Sequence, residues 1–170
     1  CLFSLSVFGQ GWESIFYPTI NWNDSVYFAS AEGYSVQQTN DGGYFIVGTA
    51  RVGSFLRFSY IVKKDESGVE QWSQTYGGIV GTTVPGDSYE SGFSGQQTTD
   101  GGFIIFGMKG SNPQLRKLDN NGVEQWNQTF IEFSCDYLDV PENYGVMRGD
   151  VKQTTDGGYI ITGTKQGEIT

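Results

Sequence analysis

A twelve-residue stretch occurs three times in this chain and decides what the chain can fold into. It first reads Gln37-Gln38-Thr39-Asn40-Asp41-Gly42-Gly43-Tyr44-Phe45-Ile46-Val47-Gly48. It returns as Gln96-Gln97-Thr98-Thr99-Asp100-Gly101-Gly102-Phe103-Ile104-Ile105-Phe106-Gly107, and again as Lys152-Gln153-Thr154-Thr155-Asp156-Gly157-Gly158-Tyr159-Ile160-Ile161-Thr162-Gly163. The aspartates fall at 41, 100 and 156, in steps of 59 and 56 residues. A period this constant implies one supersecondary unit per copy, each burying its faces against its neighbours.

Every copy has the same order: a polar run, a turn, then an apolar run closed by Gly. Asp-Gly is favoured in two-residue hairpins, where the central residues need φ > 0, and the Asp side chain can bond the local backbone. Asp41-Gly42-Gly43, Asp100-Gly101-Gly102 and Asp156-Gly157-Gly158 are therefore read as structural turns. A β-branched residue at Gly42 or Gly101 should cost about 1–2 kcal/mol from the left-handed backbone alone. The runs that follow, such as Phe103-Ile104-Ile105-Phe106, are apolar at successive positions. Such a strand is buried on both faces. The closing Gly48, Gly107 and Gly163 would let neighbouring backbone approach.

A third strand is expected at 58–63 and 115–118, ending in a second matched turn. That turn is Asp65-Glu66-Ser67-Gly68 in one copy and Asp119-Asn120-Asn121-Gly122 in the next. A fourth strand follows, polar except for Trp72 and Tyr76, or Trp126 and Phe130. Strand residues four apart share a face, so each pair offers two rings to one neighbour. The polar remainder suits a sheet edge. Trp12 and Phe16 repeat the same spacing near the start of the chain.

Four antiparallel strands per repeat, stacked sheet on sheet, describe the blades of a β-propeller. The expected fold is all-β, a propeller fragment of about two complete blades. Blades are read at 24–78 and 87–130, a partial blade at 148–170, and a candidate closing strand at 11–17. The period exceeds the roughly 40–50 residues of common propeller repeats, and insertions at 79–90 and 131–147 account for the excess. Propellers need about four to eight blades, so a longer parent protein is expected. An open stack would also expose apolar faces and self-associate.

Charge and composition narrow the functional classes. Nineteen acidic residues against ten basic ones give a net charge of −9, which disfavours nucleic acid and anionic membrane surfaces as partners. There is no His, which excludes His-based acid–base catalysis, Ser-His-Asp triads and His metal sites within this segment. Cys1 and Cys135 have no metal-ligand spacing and are not expected to form a disulfide. Residues 1–10 read as the end of a signal-peptide apolar region; the alternative is a lipoprotein with Cys1 as the lipidated residue. No other stretch approaches the roughly 20 apolar residues of a membrane span. A secreted or cell-surface protein without membrane insertion is expected, and no cofactor is called for.

The pattern Thr-x-Asp-Gly-Gly-aromatic-Ile followed by Lys-x-Asp-x-x-Gly-x-x-x-Trp resembles tandem repeats of secreted bacterial and archaeal β-propeller proteins. The likeness covers residues 11–170 and is carried by runs such as 153–163 and 121–130. It implies a fold, and a place ahead of cell-surface sorting modules, more than an activity. Thr39-Asn40-Asp41-Gly42-Gly43 is also similar to the first half of the Asp-box turn of sialidase-type propellers, but Phe45 and Ile46 replace its Thr-Trp end. That turn is structural in its own family and implies no glycosidase activity.

The remaining chemistry is sparse. The repeated Asp41, Asp100 and Asp156 could form a ring of carboxylates, but turn formation explains both their spacing and their glycines. Asp136, Asp139 and Glu142 are candidate Ca²⁺ ligands that lack the Gly and alternating spacing of a calcium loop; a solvated acidic loop is the plainer reading. Asp87, Glu90, Asp136 and Glu142 are the acids from which a glycoside-hydrolysing pair could be drawn. Arg51, Arg57, Arg116 and Arg148 form no carboxylate-binding pattern in sequence. Tyr89, Tyr137 and Tyr144, in the insertions, are candidates for a protein- or glycan-binding surface. The sequence therefore points to an exported, non-enzymatic binding or scaffold module. The alternative is a fragment of a propeller-type carbohydrate-active enzyme, a glycan hydrolase or lyase, with its catalytic residues elsewhere.

Overall fold

The computed structural model describes residues 29–53, 56–77, 89–110, 112–131 and 149–163, and the strand backbone at 3–6, 13–16, 19–22 and 25–28. Among these residues the chain is all-β, with no α-helix. Near the start, β1 (Phe3–Ser6) pairs antiparallel with β2 (Glu13–Phe16), and β3 (Thr19–Trp22) pairs with β4 (Ser25–Phe28). β1 thus falls inside the stretch read as a leader remnant, and β2 inside the one read as a closing strand. The first repeat is an antiparallel meander of β5 (Ser30–Gln38), β6 (Tyr44–Val52), β7 (Leu56–Lys64) and β8 (Glu70–Gly77). The second repeats it with β9 (Glu90–Gln97), β10 (Phe103–Lys109), β11 (Asn112–Leu118) and β12 (Glu124–Thr129). In the third, β13 (Gly149–Gln153) pairs with β14 (Tyr159–Gly163) as a separate two-stranded sheet. Among the described residues the sheets do not close into a ring.

The alternation of side chains explains why the central strands carry unbroken apolar runs. Phe45, Val47 and Ile61 on one face of the first sheet pack against Phe103, Ile105 and Leu118 of the second. Ile46, Phe58, Tyr60 and Val62 project from the opposite face into another buried cluster. The second sheet uses its other face likewise, setting Ile104, Phe106 and Leu115 against Val151 of the third. A central strand with packing on both faces, as β6 and β10 are, favours apolar residues at successive positions. Each such side chain contributes about 1.5–3 kcal/mol by leaving water.

The polar fourth strands lie at the sheet edges, as their sequence implies. Trp72 and Tyr76 both pack on the cluster shared with the second repeat. The Trp72 ring meets Phe45 and Phe103 edge-on, at centroid distances of 6.2 and 5.5 Å. Phe45 and Phe103 stack at 4.2 Å between them. The glycines closing the apolar runs let backbone approach: a Cβ on Gly48 would lie 2.3 Å from the Glu32 carbonyl, and one on Gly107 2.1 Å from that of Ser91. A register shift, and so a β-bulge, accompanies each.

The Asp-Gly-Gly turns differ from the two-residue hairpins that Asp-Gly suggests. The Thr39 carbonyl accepts from Gly42 N–H at 2.9 Å, and Thr39 N–H donates to the Gly43 carbonyl at 2.9 Å. Asn40 and Asp41 are therefore the central residues, and Gly42 follows with φ +80°. This is the longer hairpin, a tight turn followed by a left-handed Gly. Thr98 and Thr154 repeat it. The physical reason is the Asp side chain, which needs position 41 to reach its partners, described below.

The repeats give an internal control on packing. Ile104 and Ile160 follow their aspartates by four residues, yet Ile104 is fully buried and Ile160 is 57% exposed. Ile104→Ala is expected to cost about 2–5 kcal/mol, and Ile160→Ala to stay within about 0.5 kcal/mol. Urea unfolding of the two variants checks this.

Candidate functional site

The recurring polar residues converge on the turns, and there they are consumed by structure. Asp41 Oδ1 accepts from the Thr39 hydroxyl and from Gly43 N–H at 3.1 Å. Beneath it lies the Lys63 ammonium, whose side chain is only 5% exposed. Lys63 Nζ donates to Asp41 Oδ2 at 2.8 Å, to the Lys64 carbonyl at 2.9 Å and to Gln71 Oε1 at 2.9 Å. These partners use all three donors of the ammonium. The second repeat builds the same arrangement, with Lys117 Nζ 3.0 Å from Asp100 Oδ2 and 2.9 Å from the Leu118 carbonyl. In the third, Asp156 accepts from the Thr154 hydroxyl and Gly158 N–H.

This geometry explains the second Gly of the motif. A Cβ at Gly43 would lie 2.2 Å from the Lys64 carbonyl and 2.6 Å from Lys63 Nζ. At Gly102 the corresponding distances are 2.3 Å to Leu118 and 2.4 Å to Lys117. The first Gly satisfies a backbone angle, and the second makes room for a buried cation.

The electrostatics follow. Bonding to Lys63, then to the Thr39 hydroxyl, holds the Asp41 carboxyl at about 2. The Thr98 hydroxyl and then Lys117 hold Asp100 at about 2. A carboxyl lowered on folding stabilises the fold above its ordinary range near 3.8, and that contribution is lost as pH falls through 2. We expect the Asp41 and Asp100 carboxyls to titrate near 2 in a carbon-detected NMR titration. In Lys117→Met the Asp100 midpoint should rise, and stability should drop by about 1–3 kcal/mol.

In the second and third repeats the Gln before Thr bonds the preceding repeat. Gln97 Oε1 accepts from Asn40 N–H of the first repeat at 2.8 Å, while its Nε2 donates to the Gly101 carbonyl of its own turn at 3.2 Å. Gln153 Oε1 accepts from Thr99 N–H at 2.9 Å in the same way. Gln37 Oε1 adds a bond from Gln97 N–H at 3.1 Å. The recurring sequence pattern contains these glutamines as well as Lys63 and Lys117, but it assigned them no role. Their only signal was recurrence at the repeat period. Gln97→Ala should cost about 1 kcal/mol and accelerate hydrogen exchange at Asn40 N–H, read by NMR.

The opposite end of the stack is where the described repeats diverge. There Tyr34 donates to the Glu32 carboxylate, Arg51 NH2 lies 3.3 Å from Glu32 Oε2, and the Tyr34 ring meets Phe93 edge-on at 5.7 Å. Burial, then the Glu32 carboxylate, raises the Tyr34 phenol above its ordinary value. Tyr89, a candidate binding residue, is half-buried here, and its carbonyl accepts from Gly110 N–H at 2.7 Å. Tyr137, Tyr144, Asp136, Asp139 and Glu142 lie outside the described residues, as do Asp87 and Arg148. Glu90, weighed as a hydrolytic acid, is buried between the first two sheets and paired with Arg116 at 2.7 Å. Burial raises its carboxyl, and Arg116 opposes that rise.

Among the described residues no group of three or more Cys, Asp or Glu is placed to hold a metal ion. No helix among them is long and apolar enough to cross a membrane. No family model, curated protein or solved structure compared with the chain matches it.

Proposed function

We propose that the chain is part of an exported, non-enzymatic binding or scaffold module whose four-stranded sheets are propeller blades. The observation that carries this reading is the identical joint between successive repeats, in which Gln97 and Gln153 bond the preceding turn at Asn40 and Thr99. A joint reused at each step is what a stack of equivalent blades needs. The recurring acids support a structural reading as well, since Asp41 and Asp100 neutralise Lys63 and Lys117. Recognition of a protein or glycan surface then falls to the end opposite the turns, where Tyr34, Glu32, Arg51 and Tyr89 differ from repeat to repeat.

The test is a glycan array probed with the labelled chain, followed by chromatography of each retained glycan after prolonged incubation. Retention of intact glycan is the expected result. Shortened or unsaturated products would replace this reading with a hydrolase or lyase. An array without retained glycan would restrict the partner to protein.

A further inference from the structure

Superposing the repeats by sequence exposes a difference buried inside the stack. On the face turned away from the second repeat, the first repeat carries Ala31, Tyr60 and Val62, all in one apolar cluster. By the offset of each strand, the second repeat has Glu90, Gln114 and Arg116 at those positions. These three face the first repeat and form one network. Arg116 NH2 donates to Glu90 Oε2 at 2.7 Å and to Gln114 Oε1 at 3.0 Å, and NH1 donates to Glu124. The guanidinium carbon stands 3.8 Å from the centroid of the Tyr76 ring, which belongs to the first repeat. The residue matching Tyr76 in the second repeat is Phe130, which packs on the apolar cluster shared with the third.

Arg116, Glu90 and Gln114 are all less than a tenth exposed. A buried ion pair is weak evidence for stability, because apolar side chains of similar volume often serve as well. What such a group supplies is selectivity. A face that buries a guanidinium held by its own repeat's oxygens matches a surface that offers that guanidinium a ring face, as Tyr76 does, and is penalised on one that does not. The bonds from Gln97 and Gln153 cannot make this distinction, because they recur at both steps. The apolar faces cannot either, since any of them would bury any other.

We propose that Arg116 and Glu90, read by Tyr76, form a key that fixes which repeat stacks on which, and that it acts against contacts between wrong repeats and between copies of the chain. The key adds to the stacking proposed above and rests on that reading only for its biological purpose. The contact itself lies within the described sheets.

The test replaces the key with what the first repeat carries at the same positions, Glu90→Ala with Arg116→Val, in the full chain. Arg116→Val alone leaves the Glu90 carboxylate buried without its cation and should lower Tm by several degrees; the double variant should regain most of that loss. Unlabelled and isotope-labelled chains are then unfolded together, refolded, cross-linked and digested. Peptides joining the two labels report contacts between copies. At matched Tm, the double variant should show a several-fold larger share of between-copy links through the first and second repeats than the parent chain. The same share in both would overturn the key. Tyr76→Leu removes the ring beneath the guanidinium while keeping an apolar side chain there. At matched Tm it should raise the between-copy share, and no rise would likewise overturn the proposal.

Discussion

Each turn in the first two repeats rests on a buried ammonium. Lys63 and Lys117 sit within strands, nearly without solvent contact, and the cost of removing a charge from water must be offset locally. The turn aspartate, 53% exposed in the case of Asp41, provides the opposite charge while keeping contact with solvent. A main-chain carbonyl takes another proton of each ammonium. Much of the motif follows from this one pair. Thr orients the carboxylate, the left-handed Gly closes the turn over it, and the second Gly leaves space for the amine. The same turn then presents the N–H of Asn40 or Thr99 to the next repeat's glutamine. Pairing within a repeat and joining between repeats are thus coupled through a few atoms.

The sequence disclosed the parts of this that depend on periodicity and face. A doubly apolar strand can only be central, and β6 and β10 are central. A polar strand with two rings four residues apart can only be an edge that packs along one face, and β8 does so through Trp72 and Tyr76. The turn geometry was half legible. Asp-Gly signalled a hairpin and a positive φ at Gly42, but the pair alone could not show that the carboxylate would be drawn toward a lysine 22 residues away. Lys63 itself reads as a solvent-facing residue on a strand, because burial of an ammonium depends on a tertiary partner that propensity does not encode.

The glutamines illustrate a different limit. Recurrence marked them, yet a repeated residue can serve its own repeat or its neighbour equally well. Gln97 does both, donating inward to Gly101 and accepting outward from Asn40. The Arg116 network was hidden for the opposite reason. It lies where the repeats disagree, and attention to the shared pattern passes over Ala31 against Glu90 or Val62 against Arg116. In a stack of near-identical sheets, agreement builds the common joint and disagreement decides the neighbour.

These two roles also divide the molecule lengthwise. At the turn end the carboxylates, amide oxygens and ammonium groups just described are bonded to one another, so a partner using them would have to break bonds the fold relies on. At the other end Tyr34, Glu32 and Arg51 are grouped, and Arg51 Nε and Thr49 Oγ1 find no hydrogen-bond partner among the described residues. Unmet polar capacity of this kind is costly in a finished interior. A repeat architecture of this design can change its outer loops while keeping its internal bonds.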